Sequence, residues 1–480
     1  MKKDSLLWLI LIFALLLRLP LLTGSFWLDE AAQALESVRP FSQQLEIIND
    51  FQPPLLHYLV HFAAKVTITE WWLRLWGALI PGLVTIWATI KLGEKLFNKQ
   101  VGLTAGLLLA TSSFHVFYSQ ELRPYSLPAM WAMLSTLLLF KKDFSWWQFA
   151  GITILGLYSS YLYPFLLLPQ LWLIGKQQSW GKAIKITIAS SVAFAPWLPT
   201  FFKQLSAGQV LRTEIPGWET AVSTPQLKAL ALVPLKFIYG VLDLQLTPAF
   251  AISGLSLVIV IGFAWLNGQQ HKQQLSSLKS CLLISLTPLL GSWLISFIVP
   301  IVQPKRLLFL LPFFYLLIAA PLANKKTPFK IALMPVVFLL AINLISLFTY
   351  WTEPQLQREN WRGLKQEMMQ KFPADATVAI FSFDKAFAPW RWYEPETLAS
   401  LTTGQKNINQ VTDLNGQLKS ITDYQYVLIF DYLRDLTDPS HRLEETVESL
   451  GFTGRGVLDY PGIGFVRIYS KSEFTIGYSL

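Results

Sequence analysis

The feature that most constrains this chain is the recurrence of apolar runs about as long as a bilayer is thick. A helix needs roughly 20 residues to cross the hydrocarbon core. Runs approaching that length lie at Leu6–Leu22, Trp72–Ile90, Val101–Tyr118, Ser126–Phe140, Gln148–Tyr161, Pro164–Gly175, Ile186–Phe202, Phe250–Leu266, Cys281–Val299, Leu307–Ala323 and Ile331–Trp351. They predict an α-helical polytopic membrane protein with about eleven transmembrane helices. Of the 480 residues, 53% are hydrophobic and 14% are charged, against about 25% charged in soluble domains. A large soluble enzyme is excluded. The net charge of +9 does not point to nucleic acid, because the basic residues are scattered through short loops between apolar runs. The one cysteine, Cys281, sits inside such a run, which excludes an intramolecular disulfide and a cysteine metal site.

Loop charge predicts the orientation. Lys2 and Lys3; Lys91, Lys95 and Lys99; Lys141 and Lys142; Lys176, Lys182 and Lys185; Lys272 and Lys279; and Lys325, Lys326 and Lys330 fall in every second loop. Lysine-rich loops stay in the cytoplasm, so the N-terminus is expected inside, on a retained first helix, with the tail outside. The alternation also requires two short passes between Gln148 and Gly175, broken near Tyr158–Pro164. Leu227–Leu242 is a weaker run, read as an interfacial or surface helix. In the first outer loop, Ala31–Val38 and Pro53–Val66 read as short amphipathic helices.

After about Thr352 the composition turns polar. Helices are expected at Gln357–Phe372 and His441–Leu450, short buried strands at Thr377–Phe383 and Tyr426–Phe430, and a hairpin over Val457–Ser470 around Pro461-Gly462. The expected division is therefore a transmembrane domain, residues 1–351, and a soluble α/β domain, residues 352–480.

Polar chemistry collects in the predicted outer loops. Asp29 and Glu30 stand where the chain leaves its first apolar run. Two readings are open there: a helix beginning at Ala31 with Asp29 as its cap, or a functional acid pair. Gln52-Pro53-Pro54 precedes His57. Tyr118, Glu121, Arg123 and Tyr125 share one compact turn, and Lys305 with Arg306 stands at the mouth of a later helix. Carboxylates and cations on one face suit a pocket for a phosphate head group, since a guanidinium donates in pairs to phosphate. Alternatively, Lys305 and Arg306 anchor the helix at the interface, and Glu121 with Arg123 closes a turn. His57 and His61 have metal-binding spacing but no third ligand in sequence. No metal or other cofactor is required.

Arg18-Leu19-Pro20, Trp27-Leu28-Asp29-Glu30-Ala31, Gln52-Pro53-Pro54-Leu55, Arg74-Leu75-Trp76-Gly77-Ala78 and Tyr118-Ser119-Gln120-Glu121-Leu122-Arg123-Pro124-Tyr125 follow in that order. Their order and spacing resemble the bacterial branch of the polyprenyl-phosphate-dependent glycosyltransferases of the GT-C fold. That branch includes relatives of protein O-mannosyltransferases and of the lipid A aminoarabinose transferase. Pro304-Lys305-Arg306-Leu307 resembles the family's later basic motif, with Leu307 where a tyrosine is usual, and Asn360-Trp361-Arg362-Gly363 resembles the start of the soluble tail. Gln52 departs from the lysine that the aminoarabinose transferase carries beside its Pro-Pro. Either another cation replaces it or the donor head group differs.

The resemblance implies a glycosyltransferase in the bacterial plasma (inner) membrane. It would take a sugar from a polyprenyl-phosphate donor and pass it, with inversion, to a lipid, glycan or protein acceptor on the extracytoplasmic face. Asp29 is then the catalytic carboxylate with Glu30 beside it, and Arg123 and Arg306 hold the donor phosphate. Gln52, His57, Tyr118, Glu121, Tyr125 and Lys305 line the substrate site. A lipid-linked sugar transporter or binding protein is the rival reading, disfavoured because the apolar runs carry few ionisable groups. An oligosaccharide ligase is a further one.

Overall fold

A computed structural model describes residues 5–214, 226–242, 272–324, 327–393 and 398–471. The predicted span Phe250–Leu266 lies outside them. The chain divides into two compact units. One comprises Met1–Thr23, Ser37–Gln204 and Ser223–Leu356; the other comprises Gly24–Glu36, Leu205–Val222 and Gln357–Leu480.

The first unit is helical. Among the described residues, Glu70–Leu96, Gln274–Ile295, Pro304–Ala323 and Phe329–Thr352 are long and apolar enough to cross a membrane. Ser5–Leu16, Leu55–Ala64, Ser126–Leu139 and Trp146–Leu157 are shorter apolar helices. Large apolar side chains stay on the outside, among them Trp8, Leu9, Ile12, Ile184, Ile188, Val192, Ile345 and Phe348. So much exposed apolar surface suits lipid and not water. The chain is a multi-pass membrane protein.

Several helix ends differ from the sequence reading for local reasons. The first apolar run is helical only over Ser5–Leu16. Pro20 lies one turn further on and cannot continue the backbone ladder, and Leu21 takes a left-handed φ of 63°. Val101–Tyr118 is split at Ser112. That residue ends the Lys99–Thr111 helix in an extended conformation, and its hydroxyl accepts the His115 N–H to start the next. Gln148–Gly175 is two helices, Trp146–Leu157 and Tyr163–Gln177, as the loop-charge argument requires. Leu227–Leu242 is helical over Gln226–Tyr239.

Close approach and buried hydrogen bonds hold the bundle. A side chain at Gly93 would meet the Gly102 Cα at 2.6 Å, so these two helices touch backbone to backbone, as small residues permit in membranes. The Gln170 amide donates to the hydroxyls of Ser135 and Thr136, both at 2.9 Å, and the Asn343 amide donates to the Leu108 carbonyl at 3.1 Å. In hydrocarbon such groups need partners.

The second unit carries a mixed five-stranded sheet: β1 (Thr377–Phe381), β2 (Ala399–Thr402), β3 (Tyr426–Phe430), β4 (Phe452–Tyr460) and β5 (Gly464–Lys471), in the order β2-β1-β3-β5-β4. β1 pairs in parallel with β2 and β3, and β5 runs antiparallel to β3 and β4. Alternate residues of a strand face opposite sides. Ala379 and Phe381 pack with Trp361, Leu364 and Met368 of the Trp361–Lys371 helix, while Val378 and Ile380 pack with Leu414, Leu418, Leu443 and Val447. Both faces are covered, giving a three-layer α/β unit with β4 and β5 joined at the expected Pro461-Gly462 turn. Gly462 and Gly464 have φ of 79° and 88° there, where glycine is unstrained.

Candidate active site

In the helical unit, buried hydrogen bonds tie together the segments around Arg18, Arg74 and Gln120. Arg18 is fully buried. Its guanidinium donates to the Ala14 and Ala110 carbonyls and lies 2.7 Å from His115 Nδ1. Arg74, also fully buried, donates to the Leu22 carbonyl at 2.8 Å. The Gln120 amide donates to the Arg18 carbonyl at 2.8 Å and to that of Pro20, while Tyr350 donates to Gln120 Oε1 at 3.2 Å. A side chain at Gly77 would run into Leu56 and Leu122, and one at Gly82 would run into Ser119. These motif positions therefore act as a frame, seating the Leu55–Ala64 helix and the Ser119–Tyr125 turn against one another.

The frame presents a carboxylate that the sequence reading did not select. Asp50 Oδ1 lies 3.3 Å from Arg123 Nη2 and Asp50 Oδ2 3.3 Å from His57 Nε2, and the Gln52 amide donates to Oδ2. Burial pushes the Asp50 carboxyl up, but Arg123, His57 and Gln52 outweigh it and hold it at about 2, so it stays ionised. The loop around it is clamped from afar. The Gln204 amide donates to the carbonyls of Ile47, Asp50 and Gln52 at 2.6, 2.8 and 3.2 Å. Tyr161 donates to Gln204 Oε1 at 2.5 Å and accepts from Trp197 Nε1 at 2.9 Å. The predicted residues Gln52, His57 and Arg123 are thus brought together, around Asp50.

A second grouping forms beside this turn. Lys305 Nζ sits 5.7 Å above the Tyr125 ring, and Tyr125 meets Tyr118 edge to face at 5.1 Å. Arg306 Nη1 donates to the Ile301 carbonyl at 3.1 Å. Glu121 is buried in the same turn, and its carbonyl accepts the Arg123 N–H at 2.7 Å. His61 Nδ1 lies 2.9 Å from the Ser37 carbonyl, while His57 goes to Asp50; the two histidines have different partners.

Asp29 and Glu30 belong to the other unit. The helix there runs Leu28–Ser37, with both acids in its first turn. It begins three residues before the expected Ala31, so Asp29 is not its cap. The reason is supplied by the tail: Glu359 Oε2 accepts the Leu28 N–H at 3.3 Å, serving one of the helix's otherwise unpartnered donors. The same oxygen accepts from Trp361 Nε1 at 2.6 Å, and Oε1 accepts from the Tyr432 hydroxyl at 2.7 Å. Just upstream, Phe26 N–H donates to the Tyr393 hydroxyl at 2.7 Å and Arg362 N–H to the Ser25 hydroxyl at 3.2 Å; the Phe26 and Trp392 rings lie 5.7 Å apart. Glu30 is fully buried, with Oε2 3.6 Å from Arg358 Nε.

Burial raises the Glu359 carboxyl to about 7, although Trp361, Tyr432 and the Leu28 N–H pull it down. A folded-state value above the unfolded one means the native unit binds more protons. Its contribution to stability is whole below the ordinary value of 4.5 and is lost as pH rises through about 7.

Comparison with known proteins fits this frame. Residues 51–202 match the dolichyl-phosphate-mannose-protein mannosyltransferase family, a stretch that includes Gln52, His57, Tyr118, Glu121, Arg123 and Tyr125. The crystal structure of ArnT from Cupriavidus metallidurans bound to undecaprenyl phosphate superposes with a TM-score of 0.56 at 11% identity. The match covers 98% of this chain and 99% of that one. The chain has the GT-C glycosyltransferase fold. The apo form of the same ArnT gives 0.55 at 11% identity over 96% of this chain and 97% of that one. The Archaeoglobus fulgidus oligosaccharyltransferase tethered with an acceptor peptide gives 0.52 at 12% identity, over 99% of this chain and 75% of its own. No curated protein matches the sequence. The expected fold class, a GT-C membrane protein with a C-terminal α/β part, is borne out.

Proposed function

We propose that this protein is a membrane glycosyltransferase that moves a sugar from a polyprenyl-phosphate donor to a hydroxyl of a lipid, glycan or protein, with inversion at the anomeric carbon. The observation that carries this reading is the match of residues 51–202 to a lipid-phosphate-sugar transferase family. That stretch contains Arg123 and His57, which share Asp50, and Tyr118 and Tyr125, whose rings meet. ArnT, which shares the fold, holds undecaprenyl phosphate, and the same lipid class is the donor proposed here.

In this reading Asp29 accepts the proton of the acceptor hydroxyl as it attacks, as a general base. Arg123 and Arg306 offset the charge that develops on the leaving phosphate, with Lys305 beside them. Asp50 keeps Arg123 oriented. The donor is lipid-linked, so no nucleotide has a step. Transfer is measured with purified protein in lipid nanodiscs, given synthetic undecaprenyl phosphates carrying different labelled sugars. Mass spectrometry of envelope lipids, glycans and proteins from cells with and without the gene identifies the acceptor. No sugar-dependent difference in either experiment would sink the reading.

The proposed setting is the bacterial plasma membrane, with the N-terminus cytoplasmic, residues 1–351 in the membrane and residues 352–480 outside. The lysine alternation supports it. Ser179 and Ser440 are exposed and Cys281 is buried, so single cysteines in a Cys281→Ser background report on sidedness. An impermeant thiol reagent added to intact spheroplasts is expected to label Ser440→Cys and to spare Ser179→Cys. Labelling of both, or the reverse pattern, defeats the orientation.

A further inference from the structure

We propose that Glu359 is a positioning residue: its carboxylate, held by Trp361 and Tyr432, receives the Leu28 N–H and fixes the first turn of the helix that carries Asp29. The inference deepens the reading of Asp29 as the base and rests on it for its effect on turnover.

The helix that carries Asp29 runs Leu28–Ser37. Trp27, which precedes it, cannot accept a hydrogen bond through its side chain. Capping normally comes from the residue before the helix; here it comes from 331 residues away. Glu359 is suited to this because both its oxygens are tied. Trp361, which donates to Oε2, lies in the apolar core with Leu364, Met368, Phe387 and Phe430, and its ring meets those of Tyr432 and Phe387. Tyr432, which donates to Oε1, also packs against Phe387. Leu28 itself packs on the same core. The acceptor is thus set by the rigid tail, and the turn is set by the acceptor.

The charged and titratable groups around Glu359 come from three places. Asp29 and Glu30 stand on the capped helix, Arg358 and Arg362 flank Glu359 in its own segment, and Tyr432 follows β3. Asp29 opposes the ionisation of Glu359, as like charges do, while the Leu28 N–H favours it. Glutamine keeps an acceptor oxygen without the charge, whereas alanine removes the acceptor.

The test uses the full-length protein. Glu359→Ala is expected to speed hydrogen exchange of the amides at Leu28–Ala31 and to lower kcat, each by about tenfold or more, the usual consequence of losing a hydrogen bond to a charged group. The KM for undecaprenyl-phosphate sugar should change less than kcat. Glu359→Gln should restore most of kcat and flatten the part of the pH–rate profile near neutrality. If alanine destabilises the tail, Trp361→Phe removes one donor to the carboxylate and should loosen the same amides. Unchanged exchange at Leu28–Ala31 in both Glu359→Ala and Trp361→Phe overturns the proposal, as does a Glu359→Ala kcat within about twofold of the parent. The exchange measurement does not involve turnover. An active Asp29→Asn enzyme would defeat the base assignment while leaving the exchange result to decide whether Glu359 fixes the turn.

Discussion

Asp29→Asn is expected to fold, to bind donor, and to lose about 10²–10⁴-fold in turnover, the usual contribution of a positioned general base. Asparagine has nearly the same size as aspartate. The structure sharpens the comparison, because Asp29 stands inside the first turn of the Leu28–Ser37 helix and not at its cap. The substitution removes a charge near the positive end of the helix at a half-buried site, worth up to about 2 kcal/mol. A folding defect large enough to imitate a catalytic one is therefore not expected. Single-turnover transfer and donor binding by the purified variant separate the two. Glu30 gives a contrast: its buried carboxylate faces Arg358, so Glu30→Gln should show itself in tail stability more than in turnover. A well-folded Asp29→Asn enzyme with most of its activity would end the mechanism, and Glu121 and Asp50 would then be examined first.

Arg123→Gln and Arg306→Gln are each expected to weaken donor binding by roughly tenfold or more, since losing a charged hydrogen-bond partner costs about 1.5–3 kcal/mol. Lys305→Gln should weaken it less, because its ammonium rests over the Tyr125 ring. Arg123 needs a control that the sequence alone would not suggest. Among the described residues, removing it leaves the Asp50 carboxylate to His57 and Gln52, and the loop could loosen for that reason alone. Asp50→Asn combined with Arg123→Gln removes the stranded charge. If Arg123 meets the phosphate, the double variant keeps the binding loss; if the loss came from the stranded acid, the double variant regains affinity. Titration with a fluorescent undecaprenyl-phosphate analogue reads all four proteins. Parental affinity in both single arginine variants would leave these side chains as interfacial anchors.

The parts of the fold that were legible are those set by short-range pattern. Tyr426–Phe430 is a strand with the predicted ends, and the break between Leu157 and Tyr163 falls where loop charge placed it. β2 was missed: Ala399-Ser400-Leu401-Thr402 is a short edge strand, only half-buried, with little apolar signal. The candidate site was legible where a residue type announces itself. Arg123 and His57 were selected, but Asp50 was not, because its role comes from Arg123, 73 residues away, and from the Gln204 clamp. The helix start at Leu28 was missed for the same reason. Nothing in Phe26-Trp27-Leu28 signals a cap, and the acceptor arrives from Glu359. Arg18 and Arg74 stand in motifs that carry the family resemblance; both are fully buried and bonded to backbone carbonyls, which makes them braces.

The long sequence interval between Leu28 and Glu359 also bears on how the protein is made. At about 5–20 residues per second, the 331 residues between them put roughly 15–65 s between the emergence of the Asp29 turn and that of its acceptor. Through that interval the nascent chain has Asp29 but no Glu359, Tyr393 or Trp392 to hold its turn. With Asp29 as the proposed base, a ribosome-bound intermediate would be in effect a zymogen whose activating segment is its own unfinished end, and premature termination before the tail would yield a chain without a set acid.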